Sequence, residues 1–179
     1  MQRSEERRLA IVRFASVFFV ALSLAPALAH LMELPNKIGL SHDAYLTVQQ
    51  IYRGWQLLGI VVACALVSTL AYAIVARNRA AEFRAALAAF LCIVATQVIF
   101  WLVTFPVNKT TENWTTLPAE SWEALRRQWE YSHATSAVID LIAFVVLVFA
   151  VSISRGPGAP RILAFPRDPL DPHGGEVAS

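Results

Sequence analysis

The chain has 179 residues, 56% of them hydrophobic and 16% charged, with a formal net charge of +2 at pH 7. A soluble domain of this length needs far more polar surface, and so small a charge carries no nucleic-acid footprint. There is no phosphate-binding loop, dinucleotide fingerprint, internal repeat or heptad pattern, which removes the common nucleotide enzymes, solenoids and coiled coils.

What is left is an all-α, polytopic membrane protein. A helix needs about 20 apolar residues to cross a bilayer core, and four runs are long enough. The first covers 9–31, with Arg13 one turn in, where its side chain can snorkel to the interface. The same stretch also has the form of a signal peptide, with Ala27-Leu28-Ala29 as a cleavage signal that would make His30 a new N-terminus. Next, Ser41 suits an N-cap and Asp43 a first helical turn, so the segment from His42 is expected to run straight into the second span, 52–76. The third span covers 85–105. Pro118 then suits the first turn of a helix with Trp122, Leu125 and Trp129 on one stripe, continuing into the fourth span, 133–154. Pairs at i,i+4 are expected for Glu123/Arg127 and Arg126/Glu130.

The expected architecture is one domain, 1–154, with the four helices in an up-down-up-down bundle and 155–179 as a flexible cytoplasmic tail. Ten of the 15 basic residues fall on the side of the termini. The positive-inside rule therefore places both termini in the cytoplasm, in the expected setting of a bacterial inner membrane, and the loops 33–50 and 106–131 outside. Cys64 and Cys92 fall mid-run as small packing residues, with no CxxC pair for redox or zinc chemistry.

Ionisable groups within a span are costly and usually face the bundle interior. Glu130, His133 and Asp140 share one face of the fourth helix, with Asp140 about 10 Å deeper than His133. Ser16, Ser23 and His30 form a seven-residue series on the first, with Glu33 a turn beyond. Gln97, Trp101, Thr104 and Asn108 recur on the third, and His42, Gln49 and Gln56 on the second. A polar pocket opening outward follows, lined in part by Gln56, Trp101 and Trp129.

His30/Glu33 and Glu130/His133 form two short steps at the outer ends of helices that the topology makes neighbours. A Glu-x-x-His step presents a carboxylate and an imidazole on one face, as in metal-binding bundles. Helices two and three offer no bridging carboxylate, so the ligand count suits a mononuclear site for iron, copper or zinc, or bis-His haem as a lesser form of the same idea. A metal-free acid/base or ligand pocket stays open, and so do plain interfacial residues with Arg126 holding Glu130. Asp140, a lone acid inside a span, raises the separate prospect of a small proton-coupled transporter. A non-enzymatic subunit of a membrane complex or a homo-oligomer, contacting lipid, quinone or haem, is a further alternative.

Three local features give the chain a resemblance to the anthrone-oxygenase-like family of small four-helix membrane proteins, over about 12–151. "FPVNKTTENW" resembles that family's Pro-x-Asn-Arg/Lys segment at Pro106, Asn108 and Lys109. "LRRQWEYSHATSAVIDLIAF" is similar to its Trp-x-x-x-His step at Trp129 and His133, and "QQIYRGWQ" enters the second span as in that family. Family members carry Arg shortly after the His, where this chain has Ala134 and Thr135. The resemblance implies an oxygenase acting on an anthrone or a similar lipophilic phenol without an organic cofactor. His133 would be base or ligand, Asn108 and Trp129 would line the pocket, and dioxygen would arrive through the membrane.

Overall fold

A computed structural model describes residues 2–116, 118 and 120–153; the expected tail 155–179 lies outside the described residues. Four helices are long and apolar enough to cross a membrane: Arg3–Lys37, Trp55–Val75, Ala80–Thr110 and Trp122–Ile153. The chain is an integral membrane protein, all-helical over these segments. The regular elements are α1 (Gln2–Lys37), α2 (His42–Gln49), α3 (Leu58–Val75), α4 (Ala80–Ile99), α5 (Phe105–Thr110) and α6 (Trp122–Ile153). Each long helix packs on two neighbours, α1 on α3 and α6, α4 on α3 and α6, closing the up-down-up-down ring.

The interior is built from small side chains. Ala65, Ala73, Ala76, Ala86, Ala89 and Ala143 are buried around Leu9, Val20, Tyr72, Ile93 and Leu147. Large apolar residues such as Phe14, Val67, Leu102 and Phe149 point outward. Lipid tails are as apolar as leucine, so burying large side chains gains little in a bilayer, whereas small ones let helix backbones approach. Cys64 and Cys92 are free and half-buried in this packing.

The helices depart from the expected spans in four places. α1 does not end near Leu31 but continues to Lys37 through Pro26 and Pro35, so Glu33 and Lys37 lie one turn apart on a helix rather than in a loop. The segment from His42 does not run straight into α3. After a 3₁₀ turn at Gln50–Tyr52 the chain breaks at Gly54, whose φ of 91° is left-handed, and resumes with a second 3₁₀ turn, Trp55–Leu57. The third span gains a π-helical stretch, Phe100–Thr104, and runs on through Pro106 as α5. α6 begins at Trp122, one turn later than Pro118 suggests.

Gly54 makes a direct test of the break. A Cβ there would meet no atom within 4 Å, so the cost of Gly54→Ala is purely conformational. We expect a loss of about 1–2 kcal/mol, the price of a left-handed alanine, measured by equilibrium unfolding in mixed micelles. An unchanged midpoint would show that the break does not depend on glycine.

At the end where α1 begins and α6 finishes, Arg13 does not snorkel. Its Nε and Nη2 donate to Glu82 at 2.8 and 2.5 Å, Tyr72 Oη donates to the same carboxylate at 2.7 Å, and Arg79 lies 3.7 Å from it. Arg79 also pairs with Glu6. One buried carboxylate thus ties α1, α3 and α4 together.

Candidate functional site

The opposite end, where α1 finishes and α6 begins, gathers most of the polar residues expected there. His30 and His133 face each other with ring centroids 4.4 Å apart and planes inclined by 27°. Trp129, one turn before His133, packs edge-on against both imidazoles at 5.0 and 4.3 Å, and Tyr52 and Trp55 close over His30 at 4.5 and 5.4 Å. His30 is buried, and Asn108 accepts a 2.8 Å hydrogen bond from the Trp129 indole. Asn108 and Trp129 therefore meet, with Asn108 fixing the indole plane.

The central cation is Lys37. Its Nζ lies 2.9 Å from Glu130 Oε1 and 3.8 Å from Glu33 Oε2, and it donates to Tyr52 Oη at 2.8 Å. It also sits 4.5 Å from the Tyr52 ring centroid and 4.9 Å from that of Trp129, an aromatic cage that suits an ammonium. Tyr45 Oη donates to Glu130 at 2.8 Å and receives the Gln49 amide, while Tyr52 Oη donates to Glu33. Burial first, then the Glu130 carboxylate, pushes the Tyr45 hydroxyl far above the usual tyrosine range; burial and Glu33 do the same at Tyr52. Both phenols stay protonated and act as donors.

These partners revise the expected pairing. Glu130 is held by Lys37 and Tyr45, not by Arg126, which instead donates to the Leu40 carbonyl at 2.7 Å and stacks on Trp122. Arg127 makes no ion pair with Glu123 among the described residues.

The geometry also bears on the four expected metal ligands. Facing, nearly parallel imidazoles direct their in-plane nitrogen lone pairs side by side rather than at one point, and a protein ammonium lies between the two carboxylates. Among the described residues no three His, Cys, Asp or Glu side chains form a metal-holding group. His30, Glu33, Glu130 and His133 are together, but as a Lys37-centred network.

Two residues expected to line the pocket lie elsewhere. Gln56 is exposed beyond the Gly54 break, out of phase with His42 and Gln49. Trp101 is exposed within the π-helical stretch, edge-on to Phe100 and tilted against Phe105. The π stretch explains this. From Thr96 to Thr104 the buried face takes eight residues for two turns, where an α-helix takes about seven, so the face read through Trp101 slips outward. Thr104 stays inside and bonds Ser132 on α6 at 2.8 Å.

A short left-handed turn completes the shell. Glu112, Asn113 and Trp114 have φ of 48°, 55° and 64°, conformations that cost non-glycine residues roughly 1–2 kcal/mol each. The turn is held by Asn113 N–H to the Asn108 carbonyl at 2.7 Å and by Thr111 Oγ1, and it lays Trp114 against Tyr45 and Trp129 at 5.1 and 5.7 Å.

No family model, curated protein or solved structure matches the chain. Its chemistry must therefore be read from these side chains. Within the cluster and the shell around it, His30 Nδ1, Gln49 Oε1, Glu130 Oε2, Trp114 Nε1 and Arg126 Nε are buried without a hydrogen-bond partner. Such atoms are rare in folded proteins, and a ligand is one of the few physical reasons for them. Two are acceptors and two are donors, which suits a ligand carrying a hydroxyl, since a hydroxyl both donates and accepts. Asp140 stands apart, buried in the span with Oδ1 unpartnered and Cys92 within electrostatic reach. Ser16 is not its partner; that hydroxyl is committed to the Val12 and Ser68 carbonyls.

Proposed function

We propose that this end of the bundle binds a lipophilic phenol-like molecule, an anthrone or a relative of one, and oxidises it with dioxygen without a metal or organic cofactor. The observation that carries the reading is the set of unpartnered buried acceptors beside a caged ammonium and a stacked imidazole pair. The resemblance at Asn108, Trp129 and His133 supports it. His133, in its neutral form, takes the acidic C–H proton of the substrate, and His30 stacks against it to hold the ring. Lys37 stabilises the oxyanion that develops as the electrons delocalise. Dioxygen, which partitions into the bilayer, accepts those electrons. In balance, two C–H bonds at one carbon are replaced by a C=O bond, one oxygen atom becomes the carbonyl and the other leaves as water. Asn108 acts through Trp129 as a positioning residue. The excess of basic residues at the other end supports a site on the outer face of the membrane, with the termini in the cytoplasm.

The test uses purified protein in nanodiscs with anthrone under air. Oxygen uptake should match quinone formation one to one and survive a chelator. His133→Ala should lower the rate by about 100-fold or more, the usual contribution of a positioned base, while the protein still folds and loses only the stability that packing against His30 and Trp129 supplied. Stoichiometric iron, copper or zinc that disappears in His133→Ala would replace the cofactor-free reading with a metal site.

A further inference from the structure

On the outside of the bundle, independent of the His30–His133 cluster, a groove of about 510 Å³ runs between α6 and the π-helical stretch. Small-molecule sites span roughly 300–1,000 Å³, so it is large enough to hold a ligand. Its walls are Ile99 and Val103 on one side and Tyr131, Ser132 and Thr135 on the other, with Arg127 and Gln128 at one end.

The groove is graded along the membrane normal. Arg127 lies two turns before Thr135, about 12 Å along the helix, and six residues outside His133, where the apolar run begins. That places the guanidinium at headgroup depth and the Ile99–Thr135 end in the hydrocarbon. The polar groups at the deep end are already satisfied: Thr135 Oγ1 donates to the Tyr131 carbonyl, and Ser132 is bonded to Thr104. At the shallow end Gln128 is committed to the Val103 carbonyl. Arg127 alone keeps an uncommitted, exposed charge, having no hydrogen bond or ion pair among the described residues. The flanking surface is lipid-facing, with Val98, Leu102 and Val138 exposed beside the groove.

We propose that this groove is a binding site for an anionic glycerophospholipid, with the phosphate on Arg127 and one acyl chain lying along Val103, Ile99 and Thr135. A guanidinium pairs with phosphate through two parallel hydrogen bonds, and the open, mostly apolar groove below it suits an acyl chain. The π stretch helps by carrying Trp101 out of the groove's path, so that Val103 and Ile99 form its wall.

The experiment is native mass spectrometry of protein released from nanodiscs of mixed phosphatidylglycerol and phosphatidylcholine. Retained lipid should be predominantly phosphatidylglycerol. Arg127→Gln should reduce that preference by about fivefold, the worth of one basic side chain at an anionic surface, whereas Arg53→Gln at the same end should not. Thr135→Trp, which fills the deep end at an exposed position, should reduce retention of both lipids. Equal retention of the two lipids by the unaltered protein, or an equal fall for Arg127→Gln and Arg53→Gln, would overturn the site. Release as a dimer whose association is lost in Thr135→Trp would assign the groove to a second copy of the chain and overturn it as well.

Discussion

Lys37→Met should destabilise the protein by about 3–5 kcal/mol, the typical cost of removing one partner of a buried ion pair. The Lys37 side chain is 4% exposed and that of Glu130 0%, so no solvent can take over the lost charge. Methionine keeps the volume and the contacts with Tyr52 and Trp129 but strips the cation from two carboxylates. Glu130 keeps its Tyr45 hydrogen bond and loses its counter-charge. The double variant Lys37→Met/Glu130→Gln should recover most of the loss, because it removes both charges together. Equilibrium unfolding in mixed micelles reads both. A single-variant loss under about 1 kcal/mol, or a double variant as damaged as the sum of its parts, would mean that Lys37 is not the cation on which this end depends.

Glu82→Ala should cost a comparable amount, again about 3–5 kcal/mol, at the other end of the bundle. The substitution leaves the Arg13 guanidinium and the Tyr72 hydroxyl facing each other without the carboxylate that all three helices share. Arg13 is 18% exposed at its side chain, so water can relieve part of the penalty and the lower half of the range is expected. Glu82→Gln, which keeps hydrogen-bonding oxygen and nitrogen in place, should lose clearly less. Identical losses for the two substitutions would mean that the charge carries the whole effect and that the volume and hydrogen-bonding atoms kept by Gln contribute nothing.

The two results should differ in their effect on the site. Loss of Lys37 removes the oxyanion partner from the proposed reaction and lowers the oxidation rate even where the fold survives. Loss of Glu82 leaves the residues around His30 and His133 untouched and lowers only the stability.

The membrane spans were legible because they depend on composition over about 20 residues, which no local detail can hide. The approach of His30 to His133 was legible because it follows from topology: adjacent antiparallel helices bring their facing ends together. Lys37 is not legible as part of the site because Pro35 and the polar residues after Leu31 read as the end of α1. In a membrane helix proline is tolerated, and the chain runs on. The signal was nonetheless present, since Lys37 continues the seven-residue series Ser16, Ser23, His30 on the same face. The spacing of His42, Gln49 and Gln56 outweighs Tyr45 and Tyr52 only if 42–56 is one helix. Gly54 interrupts it, so a periodicity drawn across the break has no physical face to describe. The π stretch had no composition cue at all. Its phase error moved Trp101 out of the site while Asn108 stayed within it.

The stretch Phe100–Thr104 makes the candidate site sensitive to chain length as well as to residue identity. It stores one residue more than an α-helix would use for the same turns. A chain shorter by one residue there, with every other side chain preserved, would close into an uninterrupted α-helix and turn everything after it by about 100° relative to Ala89 and Ile93. Asn108 would then swing away from the Trp129 indole and Thr104 away from Ser132. In comparing this chain with others, a single gap at this position would therefore outweigh many substitutions. A sequence carrying both Asn108 and Trp129 but lacking the extra residue would possess the letters of the site without its geometry.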